Sequence, residues 1–449
     1  MLAWACFVPV ALLRASVLAE SDTFWQVRTG LLILGEERLP RSDPFSWTAH
    51  GNAWTINSWG FDVVLALAYR AWGLPGVALA GAVLVMLAAA GVLVLARRLG
   101  AHPVSAGCVL LLGSPVLIDW LSARPQLVDY VAVPLLLLLL RRIAEGGRPV
   151  GSILGVLALS VVWINLHAAA VLGIALAIGT SAALLARRRS RARGWWCLAG
   201  GGAALTGCLV NPYGIDALKH SFTVKDASVG VVQEWQPIDP ADPTQVVMLL
   251  LGAAAWLIAL RRREVTLITA LTVLGIAGVL AIRFLPVLVV VALPVLAAAA
   301  AHPALRQYAS SRRIVLIPGG MAGVAALLLL ALPGLGHLGQ PDPARYPVHA
   351  LGQLPSGCRL FNSYAIGGYV LLQRPDVAVS MDSRNDLYGV HRVTANEHVV
   401  RGDRALANGF GAAGCVLVPP DSVLARQLVS DPGWRVAATE PAATLFIRR

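Results

Sequence analysis

The sequence predicts a mainly α, polytopic membrane helix bundle of about eleven spans, followed by a small extracytoplasmic α/β domain. Three observations lead there. Apolar residues make up 57% of the chain and charged residues only 13%. Runs such as Leu74 to Ala96 and Ala168 to Ala186 hold no ionisable residue and are long enough to cross about 30 Å of hydrocarbon. Beyond Leu332 the pattern changes to short apolar runs separated by polar, helix-like stretches.

The first segment, Leu2–Ala19, lacks a basic leader, carries Arg14 in its apolar core and has no clean small-residue cleavage site, so it reads as a retained helix. The remaining candidate spans are Leu74–Ala96, Val104–Ile118, Leu127–Leu140, Val150–Trp163, Ala168–Ala186, Trp195–Val210, Val246–Leu260, Val265–Ile282, Phe284–Ala301 and Ile314–Leu332. Trp59 to Trp72 has apolar residues at helical spacing together with Asp62 and Arg70, as an amphipathic interfacial helix would.

Charge sorts these spans. With the N-terminus inside, the cytoplasmic loops receive Arg97-Arg98, Arg141-Arg142 with Arg148, Arg187 to Arg193, Arg261 to Arg263, and Arg306 with Arg312-Arg313; their only acids are Glu145 and Glu264. That is the positive-inside pattern of a plasma-membrane protein. The net charge of +12 therefore does not signal nucleic acid, because the cations sit in short clusters between apolar runs. The domains expected are 1–332 for the membrane part, with a first outer loop at 20–73, a Pro/Gly-rich linker at 333–347, and an extracytoplasmic domain at 348–449. Cys358 and Cys415 each precede a predicted strand and could be bridged in an oxidising compartment.

The same topology collects Asp22, Asp43, Asp119, Arg124, Asn165, His167, Asn211, Tyr213, Glu234 and Arg283 from separate loops on the outer side. A carboxylate at an interface can act as general base toward a hydroxyl or hold a divalent cation against a phosphate. Asp22 follows an apolar run beside Trp25 and stands roughly two helical turns from Arg28. Asp43, in Ser42-Asp43-Pro44, is either a second catalytic carboxylate or a helix N-cap. Arg124, in a very short outer loop, can grip a lipid phosphate bidentately or pair with Asp119 or Asp129. Arg283 has no nearby carboxylate in sequence and needs an anion from elsewhere. His167 could join them at the phosphate or be an interface residue bonded to backbone, as could Asn165.

Glu234 is a candidate second carboxylate, and with Asp43 it could bind Mg or Mn, although the chemistry does not demand a metal. Tyr213 lies in a helix-ending Asn-Pro-Tyr-Gly turn and is a contact second. Asp382 and Arg384, in Met381-Asp-Ser-Arg-Asn-Asp-Leu-Tyr388, follow a predicted strand; they either fold over the membrane site to help bind an acceptor or form a self-contained turn.

In order, the chain carries a first-loop Asp, then "GLLILGEERLPRSDPFSWTAHGNAWTINSWGFDVVLALAYRAWG", "SARPQ", "WINLHAAAVLG", "NPYG", "EWQP", "RFLP", "FNSYAIGGYVLLQ" and "MDSRNDLYG". This series resembles bacterial membrane proteins of the C-type glycosyltransferase (GT-C) superfamily, related to the dolichyl-phosphate-mannose protein mannosyltransferases. The resemblance implies a GT-C-like bundle, a polyprenyl-phosphate-linked sugar donor, inversion at the anomeric carbon, and a glycan, lipid or protein acceptor on the outer face. It also maps the family's first-loop acid onto Asp22. The protein mannosyltransferases have an acidic pair there, where this chain has Asp22-Thr23, and many bacterial relatives have His-Glu where it has Asn57-Ser58.

A transporter or lipid-carrier flippase is the alternative. It would need ionisable residues near the bilayer midplane, and apart from Arg14 the spans are nearly free of them. A scaffold without activity would not explain polar residues drawn from so many loops.

Overall fold

The computed structural model describes residues 4, 7–228, 230, 232–300, 336–402 and 411–449. The expected eleventh span, Ile314–Leu332, lies outside the described residues.

In chain order the structure runs α1 (Val8–Ala15), β1 (Val17–Leu18), α2 (Ser21–Glu36), α3 (Trp59–Arg98), α4 (Pro103–Leu117), α5 (Gln126–Ala144), α6 (Pro149–Leu166), α7 (Val171–Leu185), α8 (Arg191–Leu209), α9 (Ile215–Ser228), α10 (Pro243–Arg262), α11 (Val265–Leu280) and α12 (Leu285–Ala299). After the undescribed stretch come β2 (Gln340–Pro341), β3 (Arg359–Asn362), α13 (Gly367–Gln373), β4 (Ala378–Val379), α14 (Asn385–Val400), β5 (Cys415–Val418), α15 (Val423–Ser430), β6 (Trp434–Thr439) and β7 (Thr444–Arg448).

Among the described residues six helices are long and apolar enough to cross a membrane, so the count of eleven spans is not reproduced. The eight-residue α1 ends at Ala15, short of the expected Ala19, and the chain then pairs as a strand, Val17 with Gln340 and Leu18 with Pro341. Helix α3 is interrupted at Trp72 and Gly73, whose φ of 64° only glycine adopts readily. The break falls where the interfacial helix was expected to meet the next span.

The chain divides into two compact units. The first comprises Met1–Ser16, Leu79–Ser221 and Glu234–Leu338. Its centre is α12, whose Val, Leu and Ala side chains are buried almost all round, as an evenly apolar helix requires. Helices α4, α5, α10 and α11 surround it. Arginines close one end of this unit. Arg141 pairs with both acids of the expected cytoplasmic loops, Glu264 at 3.0 Å and Glu145 at 2.8 Å. Arg262 and Arg193 donate to the carbonyls of Ala298 and Ala144, the last turns of α12 and α5.

The second unit comprises Val17–Ala78, Phe222–Gln233 and Gly339–Arg449. The segment expected as a loop of the membrane domain therefore folds with the C-terminal sheet. Its strand order is β4-β3-β5-β7-β6, with β3 parallel to β4 and β5 and β7 antiparallel to β5 and β6. The exposed strand β6 escapes sequence reading because the irregularity between Val436 and Ala438 breaks its alternation. The first loop docks on the β4 edge, where Ser46 bridges Val379 and Trp47 N–H donates to the Val379 carbonyl at 3.0 Å. Part of the expected linker is folded too: Tyr346 is buried against Phe24 and Tyr369 and donates to the Ala19 carbonyl. Cys358 and Cys415 form a disulfide across the adjacent strands β3 and β5, with Cα atoms 6.3 Å apart.

Candidate functional site

Polar side chains collect in one cluster in each unit. In the unit that holds the sheet, α2 begins at Ser21 after an extended Glu20, which puts Asp22 in the first turn, where the helix dipole favours a negative charge. Two contacts set that turn. At Gly368 of α13 an added Cβ would lie 2.7 Å from the Ser21 carbonyl oxygen, so only glycine lets α13 approach. At Gly30 the same atom would lie 2.0 Å from the Asp62 carbonyl oxygen, so α2 and α3 cross in backbone contact.

Asp22 is half-buried. Its Oδ1 accepts from Ser383 Oγ at 2.5 Å and from Trp25 Nε1 at 3.2 Å. Arg28, the partner suggested by sequence, has its guanidinium over the Phe45 ring at 5.7 Å, and its Nε has no hydrogen bond. Burial pulls the Arg28 pKa below the usual arginine value.

Asp43 meets a different fate. Its oxygens accept from the Phe45 and Ser46 backbone N–H groups and from the Ser46 hydroxyl, so it caps the turn as one of the two readings expected. Arg384 Nη1 lies 2.8 Å from Asp43 Oδ1, out of line for a hydrogen bond, so that contact is ionic. Arg384 also grips Asp382 through Nε at 2.7 Å and Nη2 at 2.6 Å, and Tyr388 donates to Asp382 at 3.0 Å. The guanidinium stacks on Trp54 at 4.4 Å and on Phe45 at 5.2 Å. Burial works against its charge, yet Asp382 and Asp43 outweigh it and hold the Arg384 pKa well above the usual arginine value.

Both side chains of the Arg384–Asp43 pair are 0% exposed. That corrects the catalytic and metal-binding roles expected for Asp43 and the acceptor contact expected for Asp382 and Arg384: no substrate reaches a side chain with no surface. The Met381–Tyr388 segment nevertheless faces the first loop, through Ser383 on Asp22 and Arg384 on Asp43.

In the helical unit the cluster sits where α5 and α12 begin and α6 ends. Arg124 pairs with Glu234 through both terminal nitrogens, Nη1 to Oε1 and Nη2 to Oε2, the latter at 3.2 Å. Burial pushes the Glu234 pKa up, but the Arg124 charge and hydrogen bonds, with Arg283 and His167, hold it below the usual carboxylate value. Arg283 stacks over Trp235 at 4.1 Å. Arg124 thus takes neither of the sequence-local partners, and Glu234 supplies the carboxylate.

His167 is buried, with Nδ1 2.8 Å from Asp129 Oδ1, which also accepts from Trp163 Nε1 at 2.7 Å. Asn165 donates to the Val161 and Val210 carbonyls at 2.7 and 2.8 Å, the backbone role left open for it. Tyr213 is buried in its turn, with its N–H on Asn211 Oδ1. Sequence reasoning passed over Asp129, although an acid in the first turn of a membrane helix is a functional signal in its own right. It had no means of finding Ser383.

Among the described residues no three His, Cys, Asp or Glu side chains group as a metal site. The Asp43 oxygens are engaged by Arg384 and Ser46, and Glu234 is chelated by Arg124, so these residues do not fit a divalent cation.

No protein-family model matches the chain, and no curated protein is similar to it. Among solved structures, the apo crystal structure of the Archaeoglobus fulgidus oligosaccharyltransferase is similar, with a TM-score of 0.59, 13% identity, and coverage of 93% of this chain and 69% of that one. At that identity the likeness is one of fold alone.

Proposed function

We propose that this chain is a membrane glycosyltransferase that moves a sugar from a polyprenyl-phosphate donor to an extracytoplasmic acceptor, with Asp22 as general base and inversion at the anomeric carbon. The observation that carries the reading is the place of Asp22: a half-buried carboxylate in the first turn of α2, accepting from Ser383 and Trp25, on a GT-C fold. Such a group can take the proton of an acceptor hydroxyl as its oxygen attacks the anomeric carbon and the bond to phosphate breaks. Arg124 and Arg283, with His167, are assigned to the departing lipid phosphate, since guanidinium groups in a partly dry site stabilise charge that develops there. Binding phosphate at Arg124 requires exchange with Glu234. No step is routed through a metal.

The arginine-rich end of the helical unit and the Cys358–Cys415 disulfide both support a plasma-membrane orientation with the C-terminal domain outside. The flippase alternative gains nothing. Asp129 lies in the first turn of α5 and is closed off by His167 and Trp163, not at mid-helix.

The test uses the purified full chain in lipid nanodiscs with a panel of farnesyl phosphate-linked pentoses and hexoses and a cell-envelope extract that supplies the acceptor hydroxyl. Farnesyl phosphate should be released from at least one, and Arg124→Ala or Arg283→Ala should raise the donor KM. A panel in which no donor is turned over and none binds overturns the proposal.

A further inference from the structure

Ser383 and Asp22 stand 361 residues apart in sequence, yet the serine hydroxyl is directed at the carboxylate. A serine in or beside a turn usually bonds its own backbone. Ser383 is 7% exposed and donates instead to Asp22 Oδ1 at 2.5 Å. The Trp25 indole N–H lies between the two groups, 3.2 Å from Asp22 Oδ1 and 3.1 Å from Ser383 Oγ. Serine, indole and carboxylate thus close a three-membered ring of contacts, which leaves the Asp22 side chain little rotational freedom.

The serine is itself held in place. Tyr364 Oη lies 2.6 Å from Asn385 Oδ1 and 3.1 Å from the Ser383 carbonyl oxygen, so its proton ties the backbone around Ser383 to the start of α14. Burial, then the Asp22 charge, push the Tyr364 phenol up, so it remains a donor. On the other side Arg384, the next residue, is clamped by Asp382 and Asp43. The buried ion pair therefore anchors the segment that presents Ser383.

We propose that Ser383 is a positioning residue: it holds the Asp22 carboxylate in the orientation from which it takes the acceptor proton, an inference that rests on Asp22 being the base. A base held in one rotamer begins each turnover near the reacting geometry, whereas a freely rotating one must find it. Ser383 acts through Asp22, so its loss should lower kcat and leave the donor KM where it was.

Two readouts on the full-length chain in nanodiscs test this. In turnover of the farnesyl phosphate-linked sugar found active, Ser383→Ala should lower kcat by about ten- to a hundredfold, the worth of a hydrogen bond to a charged group. Ser383→Thr, which keeps the hydroxyl, should restore most of that loss. The second readout needs no substrate: with isotope-labelled tryptophan, the indole N–H signal assigned by Trp25→Phe should move in Ser383→Ala and return in Ser383→Thr. A Ser383→Ala kcat within twofold of the parent, a threonine variant as slow as alanine, or an unmoved Trp25 signal each overturns the proposal. Asp22→Asn separates this failure from that of the functional reading. If Asp22→Asn stays active, the base assignment falls; if Asp22→Asn is inactive while Ser383→Ala is normal, only the positioning role falls.

Discussion

Asp22 and Asp43 belong to the same stretch of chain and the same compact unit, yet the structure treats them in opposite ways. Asp22 is half-buried and accepts hydrogen bonds from a serine hydroxyl and an indole N–H. Asp43 is fully buried and matched to a guanidinium that stacks on Phe45 and Trp54. A neutral donor orients a carboxylate without cancelling its charge. A buried arginine cancels it, and the pair becomes part of the scaffold, whose removal leaves an unpaired charge in a dry site. Proximity in sequence does not distinguish a base from a brace; the partner does.

Conservative amide replacements should split that comparison most widely. Asp22→Asn is expected to slow transfer by about 10²–10⁴-fold, the range of a general base, with the thermal unfolding profile unchanged. Asp43→Asn should do the reverse, costing about 3–5 kcal/mol because Arg384 loses part of its counter-charge, with the activity of the folded fraction retained. Calorimetry and turnover measured on the same preparations decide it. Equal loss of activity in both variants, or of stability in both, would erase the distinction.

A smaller effect tests how the base is placed. Gly368→Ala puts a methyl group 2.7 Å from the Ser21 carbonyl oxygen and should cost about 1–3 kcal/mol, the usual price of overpacking. Because the displaced turn carries Asp22, kcat should fall along with the melting temperature. A variant with parent stability would mean that α13 and the start of α2 are not in close contact.

The smallest effect concerns acid. The folded-state pKa of Glu234 is depressed below the ordinary carboxylate value, so the stability it contributes is fully present above that value. It is lost as pH falls through the lower folded value. Glu234→Gln should flatten this part of the stability curve, and the surface ion pairs should add nothing comparable. An unchanged acid limb in the variant would show that the Arg124–Glu234 pair is not populated in solution.

The strands that follow Cys358 and Cys415 and the one that precedes Asp382 were legible in the residues, because composition and short-range pattern encode them. The arginine clusters were legible too: Arg141 meets both Glu145 and Glu264, the two acids that their loops contain. Partner choice was not. Arg124 was left between a lipid phosphate and a pair with Asp119 or Asp129; its carboxylate is Glu234, 110 residues away, while Asp129 turns to His167 and Trp163. Asp382 and Arg384 were left between an acceptor contact and a self-contained turn, and their mutual hydrogen bonds are those of the turn.

What the sequence determined by itself is the apolar bundle, its arginine-rich end and the small C-terminal sheet. These follow from transfer free energy and local backbone preference, which act over a few residues at a time. Only the tertiary structure decided that the first loop belongs to the sheet, that Ser383 rather than Arg28 holds Asp22, and that Asp43 is braced out of reach. Those outcomes depend on which of several possible counter-groups lies within hydrogen-bonding distance once the chain has folded. Because an ionic or polar contact weakens steeply over a few ångströms, only the placement of segments hundreds of residues apart can choose among them.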